Sequence, residues 1–242
     1  MLSRDDYIPL LFRAFRENSI PLNDGDAERL YLFSDRLLAV NEQFNLTAIR
    51  EPFRVALLHM ADCAAAARAF PEGARVIDVG CGAGFPSLPL AILRPDLSVV
   101  AMDATAKKVG FVKETAELLG LSNITAINAR AEDAAINAKM RESFDAATAR
   151  AVAALPVLCE LCLPFVKMGG VFLAMKGKNA REELDAAENA IRKLGGELEA
   201  IRDEPLTGEG ESFARAEIVI RKTKPTPREY PRAYGKILKK PL

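Results

Sequence analysis

From residue 74 onward, short apolar runs alternate with helical stretches, and that alternation restricts the chain to a largely parallel sheet with helices on both faces. The expected strands span residues 74–79, 98–102, 123–128, 144–148 and 170–175. Between them, residues 105–119 carry Val109, Val112, Ala116 and Leu119 on one face and stop at Gly120. Residues 179–194 repeat the design with Ala180, Leu184, Ala187, Ile191 and Leu194 ahead of Gly195 and Gly196. Two more apolar runs, 197–201 and 214–220, flank a Gly208-Glu209-Gly210 loop. That loop is too short for a crossover helix, so the pair is expected to be antiparallel, which brings the sheet to seven strands. Ahead of all this, Tyr7, Leu10 and Ala14, and then Leu30, Phe33, Leu37 and Val40, fall at helical spacing, with Pro21 and the Asn23 to Asp26 cluster between them. The expected division is a helical section 1–70 packed on a core 71–222, with a tail 223–242 in the same unit.

The loop after the first strand reads Asp78-Val79-Gly80-Cys81-Gly82-Ala83-Gly84-Phe85-Pro86. In an open α/β sheet, ligands bind beyond the carboxyl ends of the strands, and the first loop is the usual anchor. A dinucleotide fingerprint would place its third glycine five residues after the first; here it comes at four, and the fifth position is Phe85. Asp78 would repel a phosphate but favours a cationic ligand. Asp103, at the end of the second strand, is placed to accept hydrogen bonds from ribose hydroxyls. S-adenosylmethionine carries an ammonium, a sulfonium and a ribose but no phosphate, so it is the ligand expected here, with Gly80 and Gly82 allowing close backbone approach. The plainer reading of the same loop is a tight strand-to-helix turn.

Composition narrows the classes further. No apolar run approaches the ~20 residues of a membrane span, and the acidic start Asp5-Asp6 does not resemble a secretory signal, so a cytoplasmic protein without membrane contact is expected. Four scattered cysteines suit a reducing compartment. Cys159-x-x-Cys162 has the spacing of half a zinc site, but with a single histidine in the chain these read as buried helix cysteines, and no metal is expected. Lys plus Arg and Asp plus Glu number 33 each, yet residues 221–242 hold eight basic side chains against Glu229 alone, a net +7 that leaves −7 on the rest. Such a tail is either a contact for a polyanion or solvated surface charge.

Several short stretches together resemble the RsmG (GidB) family of methyltransferases. They are Asn45-Leu46-Thr47-Ala48-Ile49, His59-x-x-Asp62, "DVGCGAGFPSLPL" from Asp78, Lys107-Lys108-x-x-Phe111, Arg130-Ala131-Glu132, Arg150-Ala151, Lys176-Gly177, and the ending from Tyr230-Pro231-Arg232 to Leu242. The resemblance implies a Rossmann-like class I S-adenosylmethionine-dependent methyltransferase with an N-terminal helical extension, acting on N7 of a guanosine in 16S ribosomal RNA. It implies donor contacts at Gly80, Phe85, Asp103, Ala131, Glu132 and Arg150. Read without the family, Glu132 could form a helix-terminal charge pair with Arg130, and Arg150 could pair with an acid. Cys63, Cys81, Ser87 and Ala149 depart from the residues usual in the family, all toward other small side chains.

Methyl transfer from a sulfonium is an in-line displacement, so alignment and exclusion of water are the protein's main tasks. Guanine N7 is a bare acceptor and its attack needs no general base. No catalytic residue is therefore singled out, with Arg150 a candidate positioning group. The expected RNA contacts are Lys176, Arg232, Lys236, Lys239 and Lys240, with Asn45 and His59 as further candidates from the helical section. His59 beside Asp62 could equally make a structural hydrogen bond. The expected partner is 16S ribosomal RNA or the small ribosomal subunit; no protein partner is implied. The competing readings are a methyltransferase of a small molecule or protein and a non-catalytic RNA-binding module of the same fold.

Overall fold

The computed structural model describes residues 2–242. Helices α1 (Arg4–Glu17) and α2 (Asp24–Asn41) open the chain, and Asn23 caps α2 by accepting a hydrogen bond from the Asp26 amide. A third helical rod starts as α3 (Pro52–Val55), passes through a π-helical stretch (Ala56–Ala61) and ends as α4 (Asp62–Ala67). Then follow β1 (Arg75–Val79), α5 (Ser87–Leu93), β2 (Ser98–Asp103), α6 (Ala106–Leu118), β3 (Ile124–Asn128), α7 (Ala131–Ala134) and β4 (Phe144–Arg150). The chain continues with α8 (Leu155–Cys162), β5 (Val166–Lys176), α9 (Ala180–Lys193), β6 (Gly196–Asp203), β7 (Leu206–Gly208), β8 (Glu211–Phe213), β9 (Ala216–Lys222) and α10 (Tyr234–Lys239).

Seven strands form one sheet in the order β3-β2-β1-β4-β5-β9-β6, parallel from β3 to β5 and antiparallel where β9 inserts between β5 and β6. All seven expected strands and the antiparallel pair are present within a few residues of their expected bounds. The region around Gly208-Glu209-Gly210 differs: it folds as a separate hairpin, β7 against β8, instead of a bare loop. Its strands are three residues each, too short to show a period of two. Gly208 is needed there because a Cβ would meet Leu57 at 2.6 Å and Phe53 at 3.0 Å, so the hairpin packs directly on the third helical rod.

Alternation along the strands sorts the sheet's two faces. Ile77, Val79, Ala147, Ala149, Phe172, Ala174, Ile218 and Ile220 join the core under α8 and α9. Val76, Ala146, Val171, Leu173 and Val219 join the opposite core with Leu90 and Ala91 of α5. Burial on both faces is what gives parallel strands their continuous apolar runs. By the same period, Asp78 and Arg150 point to the α5 side and Lys176 to the α9 side. The N-terminal helices are not a separate body, since Leu30, Phe33 and Leu37 of α2 share a core with Phe85, Leu88 and Phe111. The Phe33 and Phe85 rings stand 5.1 Å apart, so α2 leans directly on the glycine loop.

Candidate active site

Strands β1, β2, β3, β4 and β5 end at the same edge, and the expected donor residues collect there because each lies at or just past the end of its strand. The glycine loop is pinned to β2 by the Gly80 and Cys81 amides, which donate to the Met102 carbonyl at 2.8 and 2.9 Å. Gly80, Gly82 and Gly84 all have positive φ, a conformation that disfavours any side chain. Their surroundings differ. A Cβ on Gly80 would lie 2.7 Å from Val152, and one on Gly84 would lie 2.4 Å from Leu88, whereas Gly82 faces open space apart from the Gly80 carbonyl at 4.0 Å. In the Cβ direction only Gly82 is open, whereas Gly80 and Gly84 make room there for the protein's own side chains.

Asp78 is wholly buried. One carboxylate oxygen accepts a hydrogen bond from the Ser87 amide at 3.1 Å, and the other has no partner. Burial, outweighing the Ser87 contacts, pushes its carboxyl up to about 7. An acceptor left bare inside a folded protein fits a ligand that brings its own positive charge or N–H donors. Asp103 accepts from the Gly82 amide at 3.1 Å and the Thr105 amide at 2.8 Å, one on each oxygen, which fixes its carboxylate plane and leaves lone pairs for further donors such as hydroxyls. These two acids and the open face of Gly82 fit the ammonium and ribose ends of S-adenosylmethionine. Ala131 and Glu132 open α7 just past β3, and Glu132 stands 3.8 Å from Arg130.

Phe85 is also drawn into the protein. Its ring stacks on His59 at 4.4 Å with 20° between the planes and carries the Arg150 guanidinium at 4.7 Å on its face. Arg150 donates through Nη1 to the Leu58 carbonyl at 3.1 Å and to Asp62 at 3.0 Å, and through Nη2 to His59 Nδ1 at 3.0 Å. Nδ1 must therefore be the acceptor, and His59 Nε2–H donates to Thr47 Oγ1 at 2.8 Å. Burial, with the Arg150 charge adding to it, lowers the His59 value to about 3, so the ring is neutral. His59 makes structural hydrogen bonds on both ring nitrogens and also lines the cleft at the ends of β4 and β5. Asp62 uses its second oxygen to hold Arg215 at 3.0 Å. The π-helical stretch puts His59, Asp62 and the Leu58 carbonyl on one side, facing Arg150.

Arg150 also lines a cleft of about 590 Å3 at the ends of β4 and β5, together with Leu58, Met175, Lys176, Glu183 and Arg215. Lys176 does not reach freely into it: its ammonium donates to the Ala153 carbonyl and to Glu183, each at 2.7 Å, and the residue is 8% exposed. Arg232, likewise expected to touch RNA, forms a bidentate pair with the fully buried Glu160 at 2.8 and 2.6 Å. Glu160 lies about 8 Å along α8 from its first residue, at 1.5 Å per residue. Both cations are thus paired with carboxylates of the protein, Lys176 at the cleft wall and Arg232 with part of its side chain exposed. Lys236, Lys239 and Lys240 are exposed, as is Asn45. Cys63, Cys81, Ser87 and Ala149 are all buried, which accounts for small residues at each position, and burial pushes the Cys63 thiol up to about 12. Arg215 and Glu183 were not legible in advance, because a single charge at a strand or helix start carries no motif.

A sheet in the order β3-β2-β1-β4-β5-β9-β6, with an acid-flanked glycine loop after β1, has the architecture of the class I S-adenosylmethionine-dependent methyltransferases. A relative by fold, M. jannaschii TYW2 in complex with AdoMet, superposes with a TM-score of 0.54 at 17% identity over 66% of this chain and 74% of that one. A SAM-dependent O-methyltransferase of Thermotoga maritima gives 0.52 at 16% identity over 79% and 72%. The sequence is closer to another group: residues 26–205 match the GidB family, described as rRNA small subunit methyltransferase G, and the chain belongs to it. The Ribosomal RNA small subunit methyltransferase G of Clostridium perfringens (strain 13 / Type A) is 42% identical over 238 residues, 98% of this chain and 99% of the relative.

Proposed function

We propose that the protein transfers a methyl group from S-adenosylmethionine to N7 of a guanosine in 16S ribosomal RNA of the small ribosomal subunit, in the cytoplasm. Family membership supports the reaction and the RNA. The observation that carries the reading is Arg150, whose guanidinium lies on Phe85 of the glycine loop and also lines the cleft at the ends of β4 and β5. One side chain thus joins the loop that would hold the donor to a cavity rimmed by Arg150 and Arg215.

The donor supplies an electrophilic methyl group on a cationic sulfur. The N7 lone pair forms the new N–C bond while the C–S bond breaks and its electron pair stays on sulfur, so no proton moves in the transfer. The site is built accordingly. His59 has both ring nitrogens engaged and is neutral, so it does not serve as a base. Asp78 and Asp103 bind and orient the donor, and Arg150 and Arg215, held by one carboxylate on Asp62, place positive charge in the cleft, from which a remaining N–H can donate to guanine O6 while N7 stays free to attack. The exposed Lys236, Lys239 and Lys240 supply phosphate contacts that position the RNA without reading its sequence.

The test is to map N7-methylguanosine in 16S ribosomal RNA from cells lacking the protein. One missing modification, restored by the purified protein and S-adenosylmethionine, is expected; a complete set of modifications overturns the reading.

A further inference from the structure

Residues 151–154 form the link between β4 and α8, and they run between the glycine loop and the cleft. Arg150 holds one end. Next comes Ala151 at φ 56°, in the left-handed region that a non-glycine residue enters at a cost of about 1–2 kcal/mol. Val152 then lies over Gly80, within 2.7 Å of where a Cβ would stand. A strained segment keeps its shape only when its surroundings impose it.

The constraint at the far end comes from α9. Helix α8 begins after Ala154, whose side chain offers no cap, so the first amides of α8 need acceptors from elsewhere. Glu183 supplies one: its Oε2 accepts from the Leu155 amide at 2.8 Å. The same oxygen accepts from Lys176 Nζ at 2.7 Å, and Lys176 in turn donates to the Ala153 carbonyl at 2.7 Å. A single carboxylate oxygen thus sets the position of Leu155 directly and of Ala153 through Lys176. Glu183 itself lines the cleft, with about a quarter of its side chain open.

We propose that Glu183 is a positioning residue for methyl transfer: it holds the 151–154 link in its strained form so that Val152 closes over Gly80 and the walls of the acceptor cleft keep their alignment with the donor loop. The proposal rests on the functional reading above. It assigns Glu183 no contact with the methyl group or the base; it acts through Lys176 and the α8 amide. Misplacement of a reacting pair by about 1 Å lowers rates by as much as roughly 100-fold, and loosening this link acts on that alignment.

Two variants separate geometry from charge. Glu183→Gln keeps an oxygen at the same reach without charge, and Glu183→Asp keeps the charge one methylene short of both donors. Both are assayed in the full chain, with small ribosomal subunits from cells lacking the protein as substrate and donor affinity measured separately by calorimetry. Glu183→Gln is expected to keep kcat within about threefold of the wild type, and Glu183→Asp to lose roughly tenfold or more, each with donor Kd and melting temperature near those of the wild type. Equal kcat for the two variants overturns the proposal, as does a loss of kcat matched by an equal loss of donor affinity. Wild-type protein that binds the donor but methylates no subunit overturns the functional reading, and the proposal with it.

Discussion

Asp78 and His59 are both buried ionisable groups, and their shifts act on stability with opposite sign. The Asp78 carboxyl is raised to about 7, above its unfolded value, so its contribution is fully present below the unfolded value near 3.8 and is lost as pH rises through about 7. His59 is lowered to about 3, so its contribution is present above the unfolded value near 6.5 and is lost as pH falls toward 3. Between these limits the two oppose each other, and variants separate them: His59→Gln is expected to lessen the loss of melting temperature between about pH 6.5 and 4. A cationic donor favours the ionised Asp78. Donor affinity should therefore fall as pH drops below about 7, by up to roughly tenfold per unit, with proton release on binding visible by calorimetry in buffers of different ionisation enthalpy. Asp78→Asn should bind weakly and without that slope; a wild-type affinity that is flat across this range refutes the assignment. The sequence disclosed the acid and the charge it prefers opposite it. That one of its oxygens is bonded to Ser87 and the other bare depends on where α5 starts, and no local pattern encodes it.

At the scale of elements, the inner strands β1, β5 and β9 were legible because they are covered on both faces and so carry apolar runs, whereas the edge strands β3 and β6 are only partly buried. The hairpin β7–β8 and the π-helical turn through His59 were not legible. The first is too short to show a period, and the second differs from an α-helix by one residue of hydrogen-bond register, which the apolar pattern of Ala56–Ala61 does not resolve. The glycine loop was legible as a motif while the work of its members was not. Gly84→Ala is expected to destabilise the fold by roughly 2–4 kcal/mol in urea unfolding, since it adds a clash with Leu88 to the strain at φ 90°. Gly82→Ala carries only the conformational penalty of about 1–2 kcal/mol, yet should weaken donor binding, because its methyl enters the one open face of the loop. If the two variants lose stability equally, the distinction between packing glycine and ligand glycine fails.

Over the whole molecule, the +7 of residues 221–242 divides into anchors and surface. Lys222 is buried against Glu142 and the Leu163 carbonyl, and burial lowers it to about 8. Arg141 donates to the Thr226, Pro227 and Tyr230 carbonyls, Arg232 neutralises Glu160, and Ile237 enters the main core. The sequence revealed the charge but not this division, because the acids that claim Lys222 and Arg232 lie 80 and 72 positions away. Arg232→Ala is expected to destabilise the protein by roughly 3–5 kcal/mol, since Glu160 would stay buried without its partner. Replacing Lys236, Lys239 and Lys240 together by Gln should leave the melting temperature unchanged and weaken binding to ribosomal RNA. It should also flatten the salt dependence of that binding, by about 0.7–0.9 in log–log slope for each phosphate that no longer meets a lysine. An unchanged salt slope would remove the tail from the RNA-binding surface.

Ala151, lastly, gives selection a choice between durability and turnover. A glycine there would relieve the left-handed strain and add about 1 kcal/mol to the resting protein, a gain within reach of few base changes. It would also free the link that aligns donor loop and cleft. Thermostabilised variants of this chain that retain alanine at 151 would show that a little instability at this position is the working state of the enzyme.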